Sequence, residues 1–397
     1  MSTSTLTIDI RDILYYQYID SVTSQKTSHH YQYQQSVTWK TLAAPFAHLE
    51  SKMPPTNRAS WLMSKQSPIS IVDSAPYTSP STNELVINTK VIALNPADWV
   101  VQKLGVLIED YPAILGCDVA GEVVEVDPSL ASIYSVGDRV IGLSNCLARK
   151  NGAYCYSAFQ EYVVLRMPTV AKIPEGVEYE DAVVLPLGIN TAASCLFMKQ
   201  TLGLEAPSIA GHKGKQGKTL LVWGGSSSVG SCGVQLAVQA GYDIVAVASE
   251  RNHEMVKTLG ATVCFDQKDS TLVDRIVDYL RGKDVAGALH VINDDTVLET
   301  LCEILERSGG KKLIASVIPG AEAKGKNGVQ VVTNYATDFS NSDMGKTIWS
   351  WLDQAMETRV IKYMPQSEVV GKGLEDVQKA VDMLAKGVSA KKLVVSI

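Results

Sequence analysis

The chain has 397 residues, a formal net charge of −6, 46% hydrophobic residues and 20% charged residues. That balance fits a soluble protein long enough for two domains, and it gives no reason to expect nucleic acid or an anionic membrane surface as a partner. Seven cysteines stand singly with no C-x-x-C pair, which argues against a disulfide framework or a zinc knuckle and fits a reducing cytosol, and no apolar run approaches the roughly 18 residues of a membrane span.

Residues 1–52 are rich in Ser, Thr, Tyr and Gln and carry no sustained periodicity. They read as a disordered tail or as a mis-predicted extension, with Met53 as an alternative start before Pro54-Pro55. Neither an apolar signal core nor an Arg-rich transit pattern is present. His29-His30 has no second ligand cluster nearby and reads as solvated tail.

From Ala59 the chain turns to short strands: Ser70–Val72, Glu84–Leu94, the run leading from Leu115 through Val126, Val140–Gly142 and Phe159–Val164. Asn95-Pro96-Ala97-Asp98 breaks the second of these and opens a short helix, with Pro well placed at its start and Asp98 available as a cap. Close-spaced strands with turns between them predict a small barrel-like β domain over 53–187. Ala182–Leu196 then bridges into a helix, and the Lys/Gly/Gln segment 211–218 reads as a linker.

Thr219–Ser249 is the most informative stretch. Thr219-Leu220-Leu221-Val222-Trp223 is an apolar run suited to a strand buried on both faces. Gly224-Gly225-Ser226-Ser227-Ser228-Val229-Gly230 offers small side chains for a sharp turn, a helix follows to Gly241, and Ile244–Ala248 is a second buried strand. A helix N-terminus approached over Gly225, Ser226, Ser227, Ser228, Val229 and Gly230 is a pyrophosphate site. The strict G-x-G-x-x-G pattern is incomplete, but strand, turn, helix and strand supply its context. An NAD site places an acid about 20 residues past the last glycine. Position 249, which is 19 beyond 230, is Ser, followed by Glu250 and Arg251. Ser249 and Arg251 suit a 2′-phosphate and hence NADPH, whereas Glu250 could take an unphosphorylated ribose.

Helix and strand alternate onward: helices near 251–259, 270–281 and 295–306, strands at 262–265, 286–292 and 311–317. This predicts a doubly wound Rossmann parallel sheet over 188–336. Asn293 with Asp294, and Val317 with Ile318, then fall at carboxyl ends of late strands, where ligands sit. Lys311-Lys312 reads as a solvated strand start. Segment 337–397 holds one or two helices (347–357, 374–386) and a closing strand, 391–397, which predicts a return to the first domain.

Ala93–Asp98, Leu115–Gly121, Gly137–Val140, Leu185–Ala193 and the 224–230 turn together resemble the medium-chain dehydrogenase/reductase superfamily over about 53–397. The resemblance is to its zinc-independent, quinone-oxidoreductase-like branch, nearest the fungal trans-acting enoyl reductases and ToxD-type oxidoreductases. It implies an α/β fold: a GroES-like β-barrel domain plus a doubly wound Rossmann parallel-sheet domain. Zinc-dependent members carry a cysteine where Asn95-Pro96 stands, Gly-His-Glu where Gly116-Cys117-Asp118 stands, and a four-cysteine lobe that is absent here. Cys117 and Asp118 are adjacent on one expected strand, so they face opposite ways, and three ligands for a zinc are lacking. No metal is therefore expected, and Cys117 reads as a small buried residue.

The resemblance implies hydride transfer from NADPH to an activated C=C bond of an enone or enoyl thioester, or to a quinone. Charge then appears on a carbonyl oxygen, where hydrogen-bond donors can stabilise it. Family position puts Asn95 near the nicotinamide and substrate and Thr191 near the nicotinamide ribose or amide; Tyr111 and Tyr154 are candidate donors in the cleft. The expected partners are a small-molecule substrate and a polyketide synthase, in a cytoplasmic monomer or homodimer. The alternative is a catalytically silent NADPH-binding protein of the same fold.

Overall fold

The computed structural model describes residues 55–148, 153–208, 216–334 and 338–397. The tail, Met53, His29-His30 and most of the 211–218 linker lie outside the described residues.

The first block runs β1 (Asn57–Leu62), β2 (Ile69–Ala75), β3 (Glu84–Ala93), the short helix α1 (Pro96–Trp99), β4 (Ala113–Ile114), β5 (Asp118–Val126), β6 (Arg139–Leu143), β7 (Tyr162–Arg166) and β8 (Val170–Lys172). Two helices, α2 (Tyr179–Ala182) and α3 (Pro186–Phe197), lead into the second block. That block runs β9 (Lys218–Trp223), α4 (Ser228–Gln239), β10 (Asp243–Ala248), α5 (His253–Thr258), β11 (Val263–Asp266), α6 (Leu272–Leu280), β12 (Asp284–His290), α7 (Asp295–Ser308), β13 (Leu313–Ser316) and β14 (Gln330–Thr333). The chain closes with α8 (Asp343–Glu357), β15 (Gln366–Lys372), α9 (Val377–Ala385) and β16 (Lys391–Ser396).

The second block is one six-stranded sheet in the order β11-β10-β9-β12-β13-β14, parallel at every pairing. Renumbered from β9 the order is 3-2-1-4-5-6, so the strand order reverses between β9 and β12, and the crevice at their carboxyl ends is where such sheets take ligands. Helices cover both faces because each buries one stripe: α6 buries Leu272, Ile276 and Leu280 at four-residue spacing. The first block contributes a three-stranded sheet, β2-β1-β4, and a seven-stranded sheet in which β16 pairs antiparallel with β3. The last strand thus lies in the first block's sheet, 297 residues from Asn95.

One expected element differs and one strand is unforeseen. The helix expected at 251–259 begins as a 3-10 turn, Glu250–Asn252, and becomes α-helical only at His253. The sixth strand, β14, is four residues long after a polar Lys/Gly/Asn segment, too short to show a period.

Candidate active site

The turn after β9 is built around two glycines. Gly224 has φ +91°, a left-handed value that suits glycine. A Cβ on Gly230 would lie 2.0 Å from the Gly224 carbonyl oxygen, so no side chain fits there. Ser227 caps α4, its hydroxyl accepting the Gly230 N–H at 3.1 Å. The Ser228 hydroxyl is buried with no partner among the described residues, and the N-terminal N–H groups of an α-helix such as α4 have no partner within the helix itself. Gly225 packs close to Ala246 and Val256, and Val229 is half-buried. Small residues, a helix terminus and an unsatisfied hydroxyl form a cradle that fits a dinucleotide pyrophosphate.

Beside the cradle, the Asn252 amide donates to Ser226 Oγ and to Ser389 Oγ, both at 3.2 Å. Ser249 heads the 3-10 turn, its carbonyl accepting the Asn252 N–H at 2.8 Å. Arg251 is exposed, and among the described residues no carboxylate pairs with it. Next to this corner a pocket of about 350 Å³ opens at the carboxyl ends of β9, β11 and β12, between Trp223, Gln267, Ile292 and Thr296. Asn293 is exposed at its edge, while the Asp294 carboxylate is engaged in capping α7, accepting from the Thr296 N–H at 2.9 Å and hydroxyl at 2.7 Å. Val317 and Ile318 are half-buried just past β13: the Val317 N–H donates to His290 O at 3.2 Å and the Ile318 N–H to Ser316 Oγ at 3.1 Å. Lys311 precedes β13 and reaches Leu202 O at 2.7 Å.

Across the sheet junction lies a buried polar network. Lys392 Nζ is 2.8 Å from Asp118 Oδ2 and donates to Asn95 Oδ1 at 2.6 Å, with side chains 3% and 0% exposed for the ion pair. Asn95 Nδ2 donates to the same Asp118 oxygen at 2.9 Å and to Ala93 O at 3.4 Å. The other Asp118 oxygen accepts the Leu187 N–H at 2.7 Å, pinning the first turn of α3. Asp98 accepts the Asn95 N–H at 2.7 Å. Burial pushes its carboxyl up to about 7, and the Asp118 charge adds to this; the N–H groups of Asn95 and Gly116 and the Lys392 charge oppose it.

A cleft of about 140 Å³ lies between Cys117, Leu187 and Asn190 on one side and Tyr156, Arg166 and Ser340 on the other. Asn190 Oδ1 accepts the Trp349 indole N–H at 3.1 Å, so α8 fixes the orientation of that amide. Cys117 Sγ is 3.5 Å from Cys146 Sγ. That hydrogen bond, and then burial, push the Cys117 thiol well above its ordinary range, so it is a neutral thiol.

Of the residues expected here, Thr191 is half-buried on α3 beside Asn190, its carbonyl accepting the Ser194 hydroxyl at 2.8 Å. Asn95 does not line the cleft, because its amide is spent on Asp118, Ala93 and Lys392. It bears on the cleft through Asp118, which adjoins Cys117 and binds Leu187. Tyr111 packs against the core of the first block, and Tyr154 meets the Trp61 ring edge-on at 4.7 Å; neither is a lining residue. Tyr156 stands in the cleft instead.

The chain matches two protein-family descriptions, the alcohol dehydrogenase GroES-like domain over residues 81–175 and the zinc-binding dehydrogenase over 228–354. It is 36% identical to dehydrogenase pigH of Monascus ruber, over 86% of this chain and 100% of that protein. It is 34% identical to trans-enoyl reductase himH of Aspergillus japonicus, over 79% of this chain and 90% of that protein. The chain belongs to the medium-chain dehydrogenase/reductase superfamily. The fold agrees with solved members: a quinone oxidoreductase from Coxiella burnetii superposes with TM-score 0.62 at 21% identity, over 86% of this chain and 99% of that one. The CurK enoyl reductase superposes with TM-score 0.64 at 17% identity, over 85% and 99%.

As a medium-chain dehydrogenase/reductase the chain is an oxidoreductase that uses a nicotinamide cofactor. Among the described residues no group of three or more His, Cys, Asp or Glu side chains is arranged to hold a metal ion, and no helix is long and apolar enough to cross a membrane. Sequence reasoning missed Asn252, Ser389, Lys392, Tyr156 and Trp349. Lys392 alone left a trace. In Lys391–Ser396 the first lysine is exposed and the second buried, as period-two alternation at the start of an apolar strand would place them.

Proposed function

We propose that this chain is an NADPH-dependent, zinc-independent reductase that acts on a C=C bond conjugated to a carbonyl, in an enoyl thioester or enone, or on a quinone. The observation that carries the reading is the arrangement around α3. Its first turn is held by Asp118 and borders the cleft, while Gly188 lies against α4, where a Cβ would come 2.9 Å from Cys232 Sγ and 3.0 Å from Ser228 Oγ. Cofactor cradle and cleft therefore share one wall.

The cradle of Gly225, Ser226, Ser227, Ser228, Val229 and Gly230 holds the pyrophosphate in this reading, and the pocket beside Trp223 and Gln267 takes the adenosine half. Ser249 and Arg251 receive the 2′-phosphate, with Asn252 and Ser389 within one hydrogen bond of the turn. Thr191, Asn293, Val317 and Ile318 flank the nicotinamide half. When bound, the cofactor supplies the hydride. The chain's own work is to orient the acceptor between Asn190 and Cys117, to exclude water with Leu143, Leu147 and Leu187, and to keep the cleft thiol unreactive toward an electrophilic substrate. Asn95 serves that orientation through Asp118. The trans-enoyl reductase names of relatives support a synthase as partner, and we place the chain in the cytosol as a monomer or homodimer.

The test is a titration of the purified protein with NADPH and NADH by nicotinamide fluorescence. Oxidation of the bound cofactor is then followed with an enoyl thioester, an enone and a quinone, with and without a chelator. Tighter NADPH binding and chelator-insensitive turnover are expected. NADH binding alone would assign the ribose to Glu250, and loss of turnover on chelation would end the zinc-independent reading.

A further inference from the structure

The cleft has one charged side chain among its described lining residues, Arg166 at the end of β7. The rest of the lining is apolar or neutral polar, including Ser144, Asn145, Ser340 and Asn341. A lone cation facing such a lining is costly to order unless something holds it, and Arg166 is held twice. Its Nε is 2.7 Å from Glu84 Oε1, and its Cζ lies 3.5 Å over the Tyr156 ring. The Tyr156 hydroxyl donates to the same Glu84 oxygen at 2.8 Å, and the second Glu84 oxygen accepts the Ser81 N–H at 2.9 Å. The Glu84 side chain is 6% exposed and that of Arg166 is 57% exposed. A buried carboxylate and an aromatic plane thus fix a guanidinium whose Nε alone reaches a carboxylate among the described residues. Its two terminal nitrogens keep the planar fork that matches phosphate oxygens.

We propose that Arg166 is a specificity-determining residue that binds the phosphate of a phosphopantetheine-type thioester, with the enoyl chain running inward toward Cys117 and Asn190. The proposal rests on the enoyl reading above and deepens it. Cells carry enoyl groups either as coenzyme A esters or on a carrier protein's arm, and the chemistry common to both is a pantetheine 4′-phosphate. Glu84 and Tyr156 are positioning residues: they spend the Nε edge and one face of the guanidinium, which leaves the Nη edge for the ligand.

The experiment compares crotonyl-pantetheine 4′-phosphate with crotonyl-pantetheine, which differ by one phosphate, in the wild type and in Arg166→Gln. The wild type should show a KM about tenfold lower for the phosphorylated ester, the size expected for one charge-assisted bidentate contact at a half-exposed site. In Arg166→Gln that gap should fall below about twofold, with the affinity for NADPH unchanged. Because Arg166→Gln leaves Glu84 buried without its cation, Glu84→Gln/Arg166→Gln is measured beside it and should give the same collapse. A wild type that does not distinguish the esters, or a gap that survives both variants, overturns the proposal. Calorimetry with pantetheine 4′-phosphate, which has no double bond, separates this from the reductase reading. Binding by the wild type that is lost in both variants upholds the phosphate site even if neither ester is reduced, and no binding to the wild type removes it. Carrier-linked and coenzyme A-linked crotonyl esters, compared in the wild type, then tell the two natural sources apart.

Discussion

The 224–230 turn and the Asn95–Asp118–Lys392 network border the same wall, yet they are made of different materials. The turn is seven consecutive residues, 224–230, that work by lacking bulk: its key groups are backbone N–H donors and a glycine with no room for a Cβ. The network joins residues 23 and 297 positions apart and works by charge in a place without water. A site built from backbone is broken by adding atoms, whereas one built from buried charge is broken by removing them.

The sharpest break is Gly230→Val. With 2.0 Å to the Gly224 oxygen already at Cβ, the turn must open, and NADPH affinity should fall by at least about 100-fold in a fluorescence titration. Next is Lys392→Met, which leaves the Asp118 carboxylate buried without its cation; the loss should be about 3–5 kcal/mol by urea denaturation. Asp118→Asn/Lys392→Met should recover much of that stability while turnover stays depressed, because the charge is removed but a neutral amide holds the Leu187 N–H less firmly than the carboxylate does. Recovery of full turnover would reduce the network to a structural one.

A smaller effect is expected at the cofactor corner. Arg251→Gln should weaken NADPH binding about tenfold and leave NADH unchanged, the contribution of one exposed charge-assisted contact. An equal loss for both cofactors would place Arg251 away from the 2′-phosphate. A pH-dependent effect concerns Asp98. Its folded carboxyl, pushed up to about 7 from an ordinary 3.8, holds a proton more tightly than the unfolded chain does. The stability this supplies is present in full below about pH 4 and is lost as the pH rises toward about 7. Relative to Asp98→Asn, the wild-type urea midpoint should therefore decline between about pH 5 and about pH 8. A parallel course for the two proteins would show that Asp98 does not titrate in that range.

The same contrast governs what the sequence discloses. Thr219–Ser249 is legible because strand, turn and helix follow one another and each leaves a local pattern; β9, α4 and β10 lie within a few residues of their expected bounds. The short helix after Asn95 is legible for the same reason, Pro96 and Asp98 being local signals. Lys392 is not. Nothing near residue 392 says that it will meet Asp118, because the meeting depends on β16 pairing with β3 after the whole parallel sheet has intervened. Tyr156, not Tyr154 or Tyr111, faces the cleft because a 3-10 turn sets the side-chain directions over Tyr154–Tyr156, and such a turn has no period to read.

The pairing of β16 with β3 also orders events during synthesis. The six strands of the parallel sheet, 218–333, leave the ribosome before residue 392 does, and each of their pairings joins neighbours within that span. They can close as a unit while the first block still lacks its last strand. Through that interval Asp118 has no cation, β3 has an open edge where β16 will pair, and the first turn of α3 has no neutral anchor. The nascent first block is thus a surface that invites wrong partners, and its protection comes with six residues, 391–396, that finish the sheet and neutralise the carboxylate in one step.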